Sequence, residues 1–214
     1  MLQVNRRLSV SSKTSAWLDL LQMLTGVGLV LFMLLHMTLV SSRVINDTWM
    51  DFIAAFLDQR GLAQIGSIFI AFLFLFHFLL TARKMPFRLH EQKIIWQQSV
   101  MLSHVDTWLW VAQVASGFVI LLLGSAHIWA VMAELPITAA KSAARMHNYT
   151  WFIFYIFFLL TILIHAAIGL YRIGVKWGFV QRCNRYQAKK TIFLAASLVG
   201  IVMLLMDVLS FINL

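Results

Sequence analysis

The sequence has few of the residues that crosslink or interrupt a chain. It contains one cysteine, two prolines and eight acidic residues among 214. The single Cys183 excludes intrachain disulfides, CxxCH attachment of c-type haem and iron–sulfur clusters held by several cysteines. Pro86 and Pro136 each follow an apolar run, where they cannot break a helix. The sequence also has no glycine-rich nucleotide fingerprint.

Apolar sequence is abundant: 61% of the residues are hydrophobic and 12% are charged. Five runs are long enough to cross about 30 Å of hydrocarbon as helices. They cover about 17–42, 62–82, 107–133, 149–171 and 191–213. The first run is too long for an ordinary signal peptide and has no small-residue cleavage site, so we expect it to stay as a membrane helix. The sequence predicts an all-α integral membrane protein with one transmembrane domain over residues 1–214.

The charges between the runs predict the orientation. The N-terminus and the second and fourth loops hold thirteen of the seventeen Lys and Arg residues. By the positive-inside rule the N-terminus is cytoplasmic and the C-terminus is outside. The net charge of +9 then reflects topology and docking of an acidic partner, not nucleic-acid binding. In the first loop, WMDFIAAFLDQ has helical apolar spacing and is expected to lie along the membrane surface.

Four histidines lie deep within the apolar runs, each seven residues before a closing charge. They are His36, His77, His127 and His165. An ionisable side chain in hydrocarbon is costly and indicates a functional site. The first and third helices run outward and the second and fourth run inward. His36 and His127 therefore share a depth near the outer face, and His77 and His165 share one near the inner face.

Two imidazoles on facing helices are the axial ligands of a b-type haem. The sequence thus predicts two stacked bis-histidine haem b sites inside a four-helix bundle, with a fifth helix beside it. A zinc or copper site would need a third or fourth ligand at the same depth, and none is offered. Histidines that only hydrogen-bond between helices are the alternative. His104, at the start of the third helix, is more typical of a helix cap or of a partner for a cofactor acid group.

Haem propionates need cations or hydrogen-bond donors at the matching depth. On the inner side Gln22, Trp110, Arg172 and Lys176 qualify, and on the outer side Arg43 and Arg145 qualify. Basic side chains that only anchor the helix ends in the membrane surface are the alternative for each position.

Four strings resemble a known family. LFMLLHMTLVSS, HFLLTARKMP, LGSAHIWAVM and HAAIGLYRIGVKWG are similar to the dihaem cytochrome b subunit of quinol:fumarate reductases and related succinate dehydrogenases. The resemblance covers nearly the whole chain. It implies a distal haem on His36 and His127, and a proximal haem on His77 and His165 that faces an iron–sulfur subunit.

The resemblance also implies partners and a location. Menaquinol would be oxidised near the distal haem, and dicarboxylate chemistry would take place on a separate flavoprotein subunit at the cytoplasmic face. The location implied is the bacterial cytoplasmic (inner) membrane. The chain would serve a fumarate reductase, without reducing fumarate by itself. Three points stay open. They are whether the anchor works in the succinate dehydrogenase direction, whether the complex forms a dimer, and whether the chain is instead an anchor or small transporter without haem.

Two positions that carry acidic residues in the family concern proton transfer. Asp58 falls at the distance after His36 where the resemblance implies an acid that receives protons from quinol, and a solvated loop acid is the alternative. Leu163 stands where some relatives carry a glutamate thought to pass protons across the membrane. Since leucine cannot relay a proton, the sequence predicts no such pathway here.

Overall fold

The computed structural model describes residues 12–212, which are almost entirely helical and contain no strand. These residues form α1 (Ser12–Ile45), α2 (Asp47–Gln59), α3 (Leu62–Ala82), α4 (Leu89–Leu102), α5 (Val105–Ala133), α6 (Ala139–His147), α7 (Tyr149–Lys176) and α8 (Arg185–Ile212), with a 3₁₀ turn at Arg182–Asn184. The basic residues Arg6 and Arg7, which the orientation prediction counts, lie outside the described range. The prediction of an all-α membrane protein is confirmed.

Five of these helices, α1, α3, α5, α7 and α8, are long and apolar enough to cross a membrane. They match the five apolar runs but extend beyond them: α7 continues to Lys176 and α8 begins at Arg185. The apolar runs mark only the hydrocarbon part of each helix. Backbone hydrogen bonding continues into the polar interface, where long basic side chains reach water.

The membrane helices form a ring of four with a fifth alongside. Contacts join α1 to α3, α3 to α5, α5 to α7 and α7 to α1, and α8 packs against α7 and α1. Consequently α1 lies diagonally across from α5, and α3 from α7. The bundle has two ends, named here for one residue each. The Asp19 end holds the starts of α1, α5 and α8, and the Arg145 end holds α2 and α6.

Three shorter helices lie between the membrane helices. The helix predicted in the first loop is present as α2, whose N-cap Asn46 accepts a hydrogen bond from the Thr48 N–H. The second and third loops contain α4 and α6, which are too short and polar to register as apolar runs. Asp51 Oδ1 accepts a hydrogen bond from the Ala139 N–H at 2.7 Å and so joins α2 to the start of α6.

The surface of the bundle is apolar. Leu35 of α1, Phe72 of α3 and Leu122 of α5 are 73%, 64% and 72% exposed. Exposed apolar surface costs roughly 25 cal/mol per Å² in water. The same side chains carry no such cost in contact with lipid. The fold therefore requires the membrane that the sequence predicts.

Candidate functional site

A cavity of about 510 Å³ runs along the axis of the bundle. Its α1 lining extends from Asp19 to Val40, about 30 Å along the helix at about 1.5 Å per residue. All four membrane histidines line it. Cofactor sites in helical bundles are commonly built in this way, from side chains on facing helices.

His36 and His127 meet across the α1–α5 diagonal, with ring centroids 5.9 Å apart. This separation is close to that of two imidazoles that bind one metal ion through bonds of about 2 Å each. The Nδ1 atom of His127 is buried without a hydrogen-bond partner among the described residues. Phe32 stacks on His36 at 5.6 Å, and Tyr155 packs edge-on against His127 at 5.6 Å. Aromatic side chains therefore orient both rings.

His77 and His165 lie on the other diagonal, α3–α7, toward the Asp19 end. Both side chains line the cavity. His77 Nδ1 lies 2.9 Å from Thr25 Oγ1, and His165 Nδ1 lies 3.0 Å from Ser116 Oγ. The structure brings each of these histidines to a hydroxyl on a neighbouring helix, which sequence reasoning did not identify.

Two glycines allow this close packing. A Cβ atom added at Gly26 would lie 3.0 Å from His77 Cε1, and one added at Gly117 would lie 3.3 Å from His165 Cε1. Both distances are tighter than ordinary van der Waals contact. The glycines therefore make space for the imidazoles in the bundle. Each comes directly after the hydroxyl residue that contacts the same ring.

Gly26→Ala is expected to destabilise the protein, because the new methyl group forces the His77 ring to move. Overpacking of this kind costs about 1–3 kcal/mol. Gly28→Ala is the matched control, since its Cβ would lie 3.7 Å from Leu73 Cδ2, an ordinary contact. Thermal unfolding in detergent should show a lower Tm for Gly26→Ala alone. Equal Tm values for the two variants would contradict the close approach at His77.

The Asp19 end of the cavity is polar. Gln22, Trp110, Arg172 and Lys176, the residues named from depth, all line it. Asp19, which the sequence did not single out, forms ion pairs with three cations, Arg83, Lys84 and Lys176. With Arg172 included, this end carries more positive than negative charge. It suits an anionic group, and Asp19 fixes where the cations lie.

The Arg145 end differs in its charges. Arg145 lines the cavity and pairs with Glu134, which also lines it. Arg43, proposed from depth for the same purpose, instead donates to the backbone oxygen and hydroxyl of Ser210 at the end of α8 and does not line the cavity. Its side chain holds α8 against α1. The arrangement at this end therefore offers one cavity-lining arginine with a carboxylate partner.

Asp58 does not line the cavity. It sits in the last turn of α2, where its Oδ1 accepts a hydrogen bond from Gln64 Nε2 at 2.5 Å. His104 is the N-cap of α5 and accepts from the Asp106 N–H, which confirms the expectation of a helix cap. Among residues 12–212, no group of three or more His, Cys, Asp or Glu side chains could hold a metal ion. At each level the cavity offers two imidazoles.

These features define a multi-pass membrane protein whose helical bundle encloses a cofactor-sized cavity between two pairs of histidines. Residues 89–204 match the family described as the succinate dehydrogenase/fumarate reductase transmembrane subunit. A fumarate reductase cytochrome b subunit from Helicobacter pylori is 34% identical over 178 residues, which are 79% of this chain and 70% of that protein. One from Wolinella succinogenes is 32% identical over 177 residues, 78% and 69% of the two chains. The chain belongs to this family.

Proposed function

We propose that this protein is the membrane anchor and dihaem cytochrome b subunit of a fumarate reductase complex. It oxidises menaquinol and passes electrons through two bis-histidine haems to an iron–sulfur subunit and a flavoprotein subunit. The observation that carries the proposal is the meeting of His36 and His127 at 5.9 Å across a bundle diagonal, with His77 and His165 on the other diagonal. The cytochrome b names of the relatives support it.

The residues present fit haem b. Among the described residues, His127 Nδ1 is a buried polar atom without a hydrogen-bond partner, and so are the Oε1 atoms of Gln22 and Gln113 at the cavity wall. Gly26 and Gly117 leave room beside the inner histidines. Haem b supplies a one-electron carrier when its iron is held by two imidazoles. In this proposal the residues of this chain hold the imidazole rings in place, exclude water from the cavity and determine where in the cavity charge is tolerated.

The propionates would be held by residues at the two ends of the cavity. At the Asp19 end these are Gln22, Trp110, Arg172 and Lys176, and at the other end Arg145. Arg172 forms no ion pair with an acid among the described residues, whereas Lys176 and Arg145 already have carboxylate partners. Binding a propionate at Arg145 would therefore compete with Glu134.

The location of the protein is part of the proposal. The complex would sit in the bacterial cytoplasmic membrane with the N-terminus inside, acting as one membrane domain. The Asp19 end would then face the cytoplasm and dock the iron–sulfur and flavoprotein subunits. The excess of basic residues in the loops at that end supports this orientation. The family name also covers succinate dehydrogenases, so the reverse direction, quinone reduction, is the second candidate.

A visible spectrum of the purified protein with a haem-to-protein ratio tests the proposal. Two bis-histidine haems give a reduced α-band and a ratio of about two, as ligation by two imidazole pairs requires. Histidines that only join helices give no such band. A protein purified with haem supplied during expression and still lacking the band would overturn the proposal.

Asp58→Asn is expected to slow quinol oxidation while both haems stay bound. The reason is the loss of a proton acceptor, a role worth about 10²–10⁴-fold in rate. Quinol turnover by the whole complex and the haem spectrum are the measurements. Glu134→Gln should be measured beside it, because Glu134 lines the cavity whereas Asp58 contacts Gln64. Full turnover in Asp58→Asn with slow turnover in Glu134→Gln would move the acceptor to Glu134.

A further inference from the structure

A short sequence pattern is repeated in α1 and α5, the two helices of one diagonal. Residues 22–26 read QMLTG and residues 113–117 read QVASG, and a histidine follows each glycine by ten residues. Both helices therefore carry Gln-x-x-Thr/Ser-Gly and then His36 or His127. In each repeat the hydroxyl and glycine residues contact a histidine on another helix, not the histidine of their own helix.

Each hydroxyl group in the repeats lies within hydrogen-bond distance of a carbonyl oxygen on its own helix. Thr25 Oγ1 lies 2.8 Å from the Leu21 carbonyl oxygen, and Ser116 Oγ lies 2.7 Å from the Ala112 carbonyl oxygen. A hydroxyl has one hydrogen to donate and lone pairs to accept with. When that hydrogen is donated to the carbonyl, the oxygen accepts from the imidazole. Nδ1 of the facing histidine then carries the proton.

The contacts of His165 agree with this tautomer. Gln113 Nε2 lies 3.1 Å from His165 Nε2, and an amide N–H donates to a nitrogen that has no proton. The ring therefore donates from Nδ1 to Ser116 and accepts at Nε2. His77 has the same arrangement at Nδ1, with Thr25 in place of Ser116. In both rings the lone pair is on Nε2, the nitrogen away from the hydroxyl.

We propose that Thr25 and Ser116 are positioning residues that fix the Nδ1–H tautomer of His77 and His165 and so present Nε2 to the iron of the inner haem. The inference rests on the proposed function, since it assigns roles toward that haem. A hydrogen-bond acceptor on the outer nitrogen orients a ligating imidazole and raises its basicity. The repeat thus makes each helix of one diagonal serve both sites: its histidine serves the outer site and its hydroxyl the inner.

Because each hydroxyl contacts a histidine of the other diagonal, the experiment can distinguish damage to one helix from an effect on the inner haem. Thr25→Val and Ser116→Ala lie on the helices of His36 and His127, so damage confined to a helix would disturb the outer haem. The proposal requires the opposite result: both variants alter the inner haem, the one that depends on His77 and His165. Thr38→Val and Ser125→Ala are matched controls, since their hydroxyls make the same helix-carbonyl bonds but are exposed and form no hydrogen bond with a histidine among the described residues.

The measurements are the haem-to-protein ratio and a reductive titration of each spectral component in the purified complex. We expect Thr25→Val and Ser116→Ala each to retain the inner haem about 10–100-fold more weakly, the usual effect of losing such a partner. The same component should shift to a higher reduction potential, because a less basic imidazole stabilises ferric iron less. The outer component and both controls should match the parent protein. Thr25→Ser should restore the parent behaviour, because it restores the oxygen.

Three results would overturn the inference. The inner component could be unchanged in both variants, the outer component could be the one that shifts, or the control variants could give the same shifts. Each of these can be read only in a parent protein that shows two bis-histidine haems, so they leave the proposed function intact. A parent protein without that spectrum would instead refute the proposed function itself.

Discussion

Alanine at His36 or at His127 is expected to remove one and the same haem, and alanine at His77 or His165 the other. Each substitution would delete a proposed haem ligand, so one haem of two should be lost while the second stays. The physical basis is the diagonal arrangement. The rings of His36 and His127 lie 5.9 Å apart, whereas His77 and His165 line the cavity nearer the Asp19 end. The expected haem-to-protein ratio falls from about two to about one.

Redox difference spectra of the four single variants identify which component is lost. His90→Ala is the matched control, because His90 is exposed on α4 and does not line the cavity. It should keep both haems. An α1 variant and an α3 variant that lost the same component, with the other intact, would show that the pairs are wrong. Loss of both haems in every variant would show a single cooperative site in place of two.

The second large effect concerns charge crossing the membrane. Menaquinol-driven fumarate reduction by the assembled complex in sealed vesicles is expected to build up a membrane potential. In the proposed orientation, quinol oxidised outside would release protons there, while fumarate reduction would consume protons inside. Moving two charges against 100 mV costs about 4.6 kcal/mol, at about 2.3 kcal/mol for each charge. An uncoupler should therefore speed turnover several-fold.

The structure bears on the residues that could relieve this charge movement. Leu163 is buried between α7 and α8, against Leu159 and Met203, and a Cβ added at Gly200 would lie 2.8 Å from its side chain. This contact is apolar and tightly packed, so it cannot relay protons. Asp207 on α8 is also buried but lines the cavity. It is the acid in α8 with access to the bundle axis.

Potential-sensitive dye and turnover rate, each with and without uncoupler, are the measurements. Turnover that raises no potential and ignores the uncoupler would contradict the expectation. If such electroneutral turnover were abolished by Asp207→Asn, Asp207 would be the proton relay. Asp47→Asn is the control for that variant, since Asp47 is exposed at the start of α2 and lies outside the axial cavity.

The sequence by itself determined the membrane helices. Their apolar runs are local signals, because spanning about 30 Å of hydrocarbon requires about twenty consecutive apolar residues. The constant spacing of seven residues between each histidine and its closing charge also predicted the depths of the histidines. Helix ends were less well predicted: α1 begins at Ser12 and α7 ends at Lys176, since backbone hydrogen bonding continues where apolar sequence stops.

Only the tertiary structure decided which helices lie diagonally opposite and which side chains surround the histidines. The contacts of Thr25 with His77 and of Ser116 with His165 join residues 52 and 49 positions apart, so no local pattern specifies them. The same holds for Asp19, whose three cations come from the ends of α3 and α7. Depth along a helix follows from sequence because the rise per residue is constant. Rotation about the axis and choice of neighbour depend on packing between helices, which the chain fixes only when it is folded.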